Sequence, residues 1–130
     1  MTLDRYDDFH LFFDCGTSAF WDTHYTFEKS SKKRSRQMSR SFIDLIIINA
    51  VILMKYVHNK AFDSSQDSLL SILRSTPSEQ NSIIRQFQKL SPISKYAMES
   101  QALLELKSHY CDFRYCMQCA IGSALLNRNV

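Results

Sequence analysis

The longest apolar run in the chain, FIDLIIINAVILMKYV at residues 42–57, predicts the helix around which the rest of the fold is built. Sixteen residues far exceed an ordinary strand, although the run is rich in the β-branched residues that strands favour. Its helical spacing of three and four residues is seen at Phe42, Leu45, Asn49, Ile52 and Tyr56. Because further apolar residues fall on the other faces, we expect a central helix that packs on several sides.

The same run raises the alternative of a membrane-spanning helix. A span needs about 20 predominantly apolar residues, and a shorter run is more typical of a buried core helix. Asp44 lies inside the run, and a carboxylate within hydrocarbon is costly unless it has a partner. We therefore predict no membrane span. A cytoplasmic-side anchor stays open as the alternative, because basic residues precede the run.

A first helix and two long helices are predicted from the apolar spacing elsewhere. The first helix presents Leu3, Tyr6, Phe9 and Phe13 on one face. Thr2 is its predicted cap, and Gly16 is its predicted left-handed end. One long helix is expected over about 18–58, either continuous or broken near 30–37, and the other over about 92–122.

Two short helices are predicted between the long ones from their start signals. Ser64 followed by Asp67 imitates a capping box. The stronger signal is the sequence TPSE at residues 76–79, which combines a capping hydroxyl, a proline at the first helical position and a glutamate. Each signal precedes apolar residues at helical spacing, so each predicts a helix of a few turns.

These elements predict an all-α fold, an irregular bundle of about five helices, two long and three short. The chain of 130 residues is long enough for one domain that buries a core, so we expect a single helical domain over 1–130. The two glycines and two prolines argue against an all-β protein, which needs turn residues about every ten positions.

The net charge of +3 is unevenly distributed along the chain. Residues 1–28 carry six acidic side chains and one basic one, whereas residues 29–40 carry six basic side chains and no acidic one. On a helix most of these cations would share one broad face, suited to an acidic protein surface or to phosphates. The alternative without a binding role is a solvated face whose charge the acidic first helix partly neutralises. The basic side chains are Lys29, Lys32, Lys33, Arg34, Arg36 and Arg40.

Aromatic residues decide between the two partner classes. The chain has nine Phe, six Tyr and one Trp, more than a small core need bury, and aromatics with Arg are the usual anchors of protein interfaces. Trp21 and Tyr25 precede the basic run, and no aromatic residue lies inside it to stack on bases.

The function expected from these patterns is a non-enzymatic protein-binding module, such as an inhibitor, an immunity-type protein or an adaptor. Its partner would present an acidic surface to Trp21, Tyr25 and the six basic side chains of residues 29–40. The alternative is a nucleic-acid-binding protein that uses the basic run, and a homo-oligomer is a further way to cover the aromatic faces.

The sequence predicts no catalytic residue, no metal site and no cofactor. His10 with Asp14 and Asp22 with His24 could serve acid–base chemistry, but such pairs arise easily in an acidic segment. Cys111, Cys116 and Cys119 have no common zinc-site spacing, and we expect them to pack as core thiols. Residues 1–13 are acidic and amphipathic, unlike a signal peptide, so a reducing, cytoplasmic compartment is expected.

Overall fold

The computed structural model describes residues 3–91 and 93–129, and within them it is all-α, with no β-strand. The predicted fold class is confirmed, with six helices where about five were expected. Thr2, the predicted cap of the first helix, and Pro92, at the start of the predicted helix over about 92–122, lie outside the described residues. The helices are α1 (Tyr6–Phe13), α2 (Arg40–Ala61), α3 (Asp67–Ser75), α4 (Ser82–Leu90), α5 (Ala97–Leu106, continued by the π-helical turn Lys107–Cys111) and α6 (Ala120–Leu126). Single 3₁₀ turns occur at Ala19–Asp22, Cys116–Gln118 and Asn127–Asn129.

The chain divides into two compact units, Met1–Thr76 and Pro77–Val130. Unit 1 contains α1, α2 and α3, and unit 2 contains α4, α5 and α6. The expectation of a single domain over residues 1–130 stays a prediction.

Unit 1 is built on one contiguous apolar core to which all three of its helices contribute. Burial of such side chains is the main favourable term in folding, worth about 1.5–3 kcal/mol for each fully buried large aliphatic residue. The buried members are Phe9, Ile43, Ile47, Ile52, Leu69 and Ile72.

Helix α2 is buried along one side only, which corrects the expectation of a helix packed on several sides. Its middle turn, Ile47–Val51, is π-helical, with the Ile52 N–H donating to the Ile47 carbonyl. Residues five apart on a regular α-helix would point about 140° apart. The extra residue of the π turn brings Ile52 back to the side that already buries Ile43 and Ile47.

The predicted long helix over 18–58 is wrong in its first half, because residues 23–39 are not helical. The break is much wider than the predicted 30–37. α2 begins at Arg40 after the cap Ser39, whose hydroxyl accepts a hydrogen bond from the Phe42 N–H at 3.2 Å. A helix over residues 29–40 would place like charges three and four residues apart, which is unfavourable, and four serines there weaken it further.

The predicted long helix over 92–122 is also interrupted. α5 starts at Ala97, where the Glu99 carboxylate accepts hydrogen bonds from the N–H groups of Lys95 and Tyr96 at 2.6 and 2.8 Å. It ends at Cys111, and the chain then turns through Arg114, which has a left-handed φ of 58°. A non-glycine residue in this conformation costs energy and ends helical geometry.

Three predicted helix signals act differently in the structure. The sequence TPSE does not start a helix, because Pro77 pairs with Tyr96 and α4 begins at Ser82, capped by Asn81. Ser65, not Ser64, accepts the Asp67 N–H at 3.1 Å. Gly16 is not left-handed, and α1 already ends at Phe13.

Candidate functional site

Residues 19–36 of unit 1 form an irregular loop, the basic–aromatic loop, whose two sides run antiparallel. The Ser31 N–H donates to the Thr23 carbonyl, and the Arg34 N–H donates to the Asp22 carbonyl at 2.8 Å. His24 and Ser30 pair as an isolated bridge. Residues 25–29 are therefore the tip of the loop.

The aromatic side chains of this loop pack on one another without being buried in the core. The Phe20 ring stacks on the His24 ring at 4.0 Å between centroids, and the Trp21 ring meets the Phe27 ring edge-on at 5.2 Å. Phe27 remains 80% exposed and Tyr25 67% exposed. Exposed large aromatic rings at a loop tip are typical of anchor residues at a binding surface.

Arg36 fixes the two sides of the loop to each other. Its Nε donates to the Trp21 carbonyl at 2.9 Å, and its Nη2 donates to the Ser31 hydroxyl at 3.3 Å. The guanidinium also lies over the Tyr25 ring, 3.7 Å from the centroid. A hydrogen bond to Arg36, together with its charge, lowers the pKa of Tyr25. Arg36 thus has a structural role within the loop, and its role as a partner-binding cation stays a prediction.

The other predicted cations are exposed on the loop or just after it. Lys29 lies at the tip, and Lys32, Lys33 and Arg34 follow on the returning side, all exposed. They lie on a non-helical segment, so the predicted broad helical face of cations is wrong. Within residues 3–91 and 93–129, no ion pair joins any of these four cations to a carboxylate.

Arg40, the last predicted partner-binding cation, lies at the start of α2 and away from the loop tip. It lines a cavity of about 450 Å³ together with Asp7, His10 and Asp14. The structure joins Trp21 and Tyr25 to Arg36, whereas Arg40 lines the cavity beside α1.

A partly buried polar cluster at the contact of α1 and α2 was not expected from the sequence. The Tyr6 hydroxyl donates to Asp44 Oδ1 at 2.9 Å, and His10 Nε2 lies 2.9 Å from the same oxygen. Burial, followed by the hydrogen bond to Asp44, raises the pKa of Tyr6 to about 12. The predicted pairs are not formed, because His10 meets Asp44 instead of Asp14, and His24 meets the Thr23 hydroxyl and the Phe20 carbonyl.

The outer face of α2 is apolar and exposed. It consists of five large side chains with exposed fractions between 38% and 73%, and no charged residue lies among them. By length and composition alone, the helix Arg40–Ala61 could also cross a membrane, and 22% of its most apolar window is buried. The sequence showed the apolar residues but not which were exposed, because the π turn changes the register. The outer-face residues are Phe42, Leu45, Leu53, Met54 and Val57.

Unit 2 contains an apolar cavity of about 330 Å³ onto which three thiols converge. Cys119 is buried as expected of a core thiol, whereas Cys111 and Cys116 are exposed, so the prediction of core packing is wrong for those two. Within the described part of the chain, no three His, Cys, Asp or Glu side chains stand where they could hold a metal ion together. The absence of a metal site stays a prediction.

Comparison with known proteins gives a family and nothing beyond it. No curated protein and no solved structure matches the chain. Residues 1–82 match the sequence model of the family described as Protein of unknown function (DUF2851). The match covers all of unit 1, including the basic–aromatic loop and α2. Because it spans more than half of the 130 residues, the chain belongs to this family.

Proposed function

We propose that unit 1 is a non-enzymatic protein-binding module of the inhibitor, immunity-type or adaptor kind, and that its partner presents an acidic surface. The observation that carries this proposal is the basic–aromatic loop, which presents exposed Tyr25 and Phe27 at its tip. The same loop carries four exposed cations without ion-pair partners in the described residues. Aromatic rings supply contact area at low entropic cost, while cations steer an acidic partner and fix its orientation.

The outer face of α2 supports a protein partner as well, because it offers an apolar strip that a binding groove could cover. Two polar side chains in α2 bond to other residues of unit 1. Asp44 bonds to Tyr6 and His10, and Lys55 donates to the Leu3 carbonyl at 2.9 Å and to Asp4 at 2.8 Å. These contacts support a helix that stays packed in unit 1, in preference to one that spans a bilayer.

The cytoplasm is the proposed compartment. All four cysteines are free in the structure, which supports a reducing environment.

A nucleic-acid partner is the second candidate, and one observation favours it. The sequence has no aromatic residue within the basic run, but the loop brings Tyr25 and Phe27 to the same tip as Lys29. Exposed aromatic faces beside cations are the usual elements of single-strand binding, where bases stack and phosphates are neutralised.

The test removes exposed positive charges from the loop and keeps Arg36, which holds its two sides together. The variant Lys32→Ala/Lys33→Ala/Arg34→Ala should lose binding in an affinity pull-down analysed by mass spectrometry, run with and without nuclease. The matched control is Arg74→Ala/Arg85→Ala/Lys89→Ala, which removes the same charge from exposed helical positions. For a protein partner, the loop variant slows association, and nuclease has no effect.

Three other outcomes would contradict the proposal. Nuclease-sensitive binding, with a salt dependence that falls by about 0.9 per lost phosphate contact, would establish the nucleic-acid alternative. A dimer in sedimentation that Leu53→Asp dissociates would show that a second copy covers the outer face of α2. Equal loss of binding in the loop variant and the control would show that only net charge matters.

A further inference from the structure

The chain folds into a hydrogen-bonded turn between Cys116 and Cys119. The Cys119 N–H donates to the Cys116 carbonyl at 3.3 Å, which closes the 3₁₀ turn Cys116–Gln118. Such a four-residue turn keeps the Cα atoms of its first and last residues within about 7 Å. Disulfides join residues whose Cα atoms are about 4.4–6.8 Å apart. A backbone turn of this kind is therefore compatible with the separation that a disulfide requires.

The two thiols differ in access to solvent. Cys116 is exposed, whereas Cys119 is 8% exposed, and both line the apolar cavity of unit 2. An exposed thiol followed by a buried one, with two residues between them, is the arrangement in which the first reacts with an external partner and the second resolves the product.

The turn is held against α6 by a close backbone contact. A Cβ atom added at Gly122 would lie 2.2 Å from the Cys116 carbonyl oxygen, so only glycine permits this approach. The carbonyl that closes the turn is thus fixed by the start of α6, and the separation of the two cysteines is maintained by unit 2 itself.

We propose that Cys116 and Cys119 form a reversible dithiol–disulfide pair that exchanges with low-molecular-weight disulfides of the glutathione class. The Cys116 thiolate attacks one sulfur of the small disulfide, whose S–S bond breaks, and the first small thiolate leaves. The Cys119 thiolate then attacks the Cys116 sulfur of the mixed disulfide, and the second small thiolate leaves. The two protons from the protein thiols go to the two released thiolates. The protein is oxidised by two electrons, and the small disulfide is reduced to two thiols.

Cys111 is a third cysteine of unit 2 with which the Cys116–Cys119 pair can be compared. It lines the same cavity and is exposed, but it lies five residues before Cys116, on the other side of the turn at Arg114. Within the described backbone, the Tyr115 N–H donates to the Tyr110 carbonyl at 2.9 Å, and no hydrogen bond joins Cys111 directly to Cys116. It therefore lacks the geometry that we assign to the Cys116–Cys119 pair. A transient, sensing disulfide is also the kind found in reducing compartments.

The experiment equilibrates the full chain in glutathione buffers of graded redox ratio, quenches it by alkylation and maps the peptides by mass spectrometry. We expect a two-electron oxidation that protects Cys116 and Cys119 together from alkylation. Cys111→Ser and Cys15→Ser should leave this oxidation unchanged. Cys119→Ser should stop at the mixed disulfide on Cys116, because no thiol is available to resolve it.

Cys119→Ser is nearly isosteric, and far-ultraviolet circular dichroism would verify its fold. If that variant does not fold, Cys116→Ser, at an exposed position, replaces it and should abolish the two-electron oxidation. Three results would overturn the proposal. In the first, Cys116 and Cys119 both remain open to alkylation at the most oxidising ratio. In the second, Cys111 forms a disulfide with Cys116. In the third, Cys119→Ser forms no mixed disulfide.

Discussion

Units 1 and 2 are both helical, but different interactions fill their interiors. Unit 1 buries a contiguous cluster of large apolar side chains drawn from α1, α2 and α3. In unit 2, the fully buried residues include Ile84 and Ala97 together with Ser100. The comparison indicates that unit 1 depends mainly on apolar burial, whereas unit 2 depends also on buried hydroxyl groups and close backbone contacts.

The sequence TPSE does not start a helix, and a network of serine hydroxyl groups bonds to this segment in unit 2. The Ser78 and Ser94 hydroxyls are 2.6 Å apart. The Ser100 hydroxyl accepts the Glu79 N–H at 3.2 Å and donates to the Ala97 carbonyl at 3.0 Å. The bond from Ser100 satisfies the Glu79 N–H of a non-helical segment, and a buried unsatisfied group of this kind would cost about 1–3 kcal/mol.

The largest expected effect tests whether unit 1 depends on apolar burial. Ile47→Asp places a charge at a position with 0% exposure, which costs several kcal/mol against a total stability of about 5–15 kcal/mol. We expect loss of hydrogen-exchange protection in α1, α2 and α3. Leu53→Asp, on the outer face of the same helix, should change stability by less than about 0.5 kcal/mol. Similar destabilisation by the two variants would show that the outer face is buried and would break the comparison.

The next effect tests close backbone packing in unit 2. Gly122→Ala forces a Cβ against the Cys116 carbonyl oxygen, and because backbone cannot yield as a flexible side chain can, we expect a loss of about 1–3 kcal/mol in urea unfolding. Gly16→Ala is the matched control, since nothing lies within 4 Å of an added Cβ there. Unchanged stability of Gly122→Ala would mean that α6 does not pack on the turn.

A smaller effect tests the polar cluster of unit 1. Tyr6→Phe removes the hydrogen bond to Asp44 and should cost about 1 kcal/mol at neutral pH. Because the folded pKa of Tyr6 is raised to about 12 from 10.0, the stability linked to this group is fully present below pH 10 and is lost as pH rises through 12. The stability gap between wild type and variant should therefore narrow from pH 10 to 12 in urea unfolding. A gap that stays constant over this range would contradict the raised pKa.

The sequence predicted the fold class and the importance of residues 42–57, because composition and local spacing carry that information. It could not predict which face of α2 is buried, since the π turn shifts the register between Ile47 and Ile52. It also predicted a helix start at TPSE that the structure does not have, because Pro77 pairs with Tyr96 instead.

The arrangement of the candidate site was not predictable from the sequence, and the binding role of its residues stays a prediction. The basic run and the aromatic pair Trp21 and Tyr25 are visible in the sequence, whereas the antiparallel loop depends on contacts such as Arg36 with the Trp21 carbonyl. The partners of Asp44 come from α1, more than thirty residues away, and no spacing rule could assign them.

The smallest expected effect concerns the basic–aromatic loop, which packs outside the core of unit 1. Arg36→Ala removes both the hydrogen bond and the positive charge that lower the pKa of Tyr25, so that pKa should rise toward 10.0. The measurement is a pH titration of the Tyr25 ring by nuclear magnetic resonance, with the signal assigned through Tyr25→Phe. Lys33→Ala is the control, because it removes an exposed charge of the same loop that does not contribute to the lowered pKa, and it should leave the titration unchanged. An unaltered titration in Arg36→Ala would mean that Arg36 does not hold the two sides of the loop together, and the tip with Tyr25 and Phe27 would then not be a preformed binding surface.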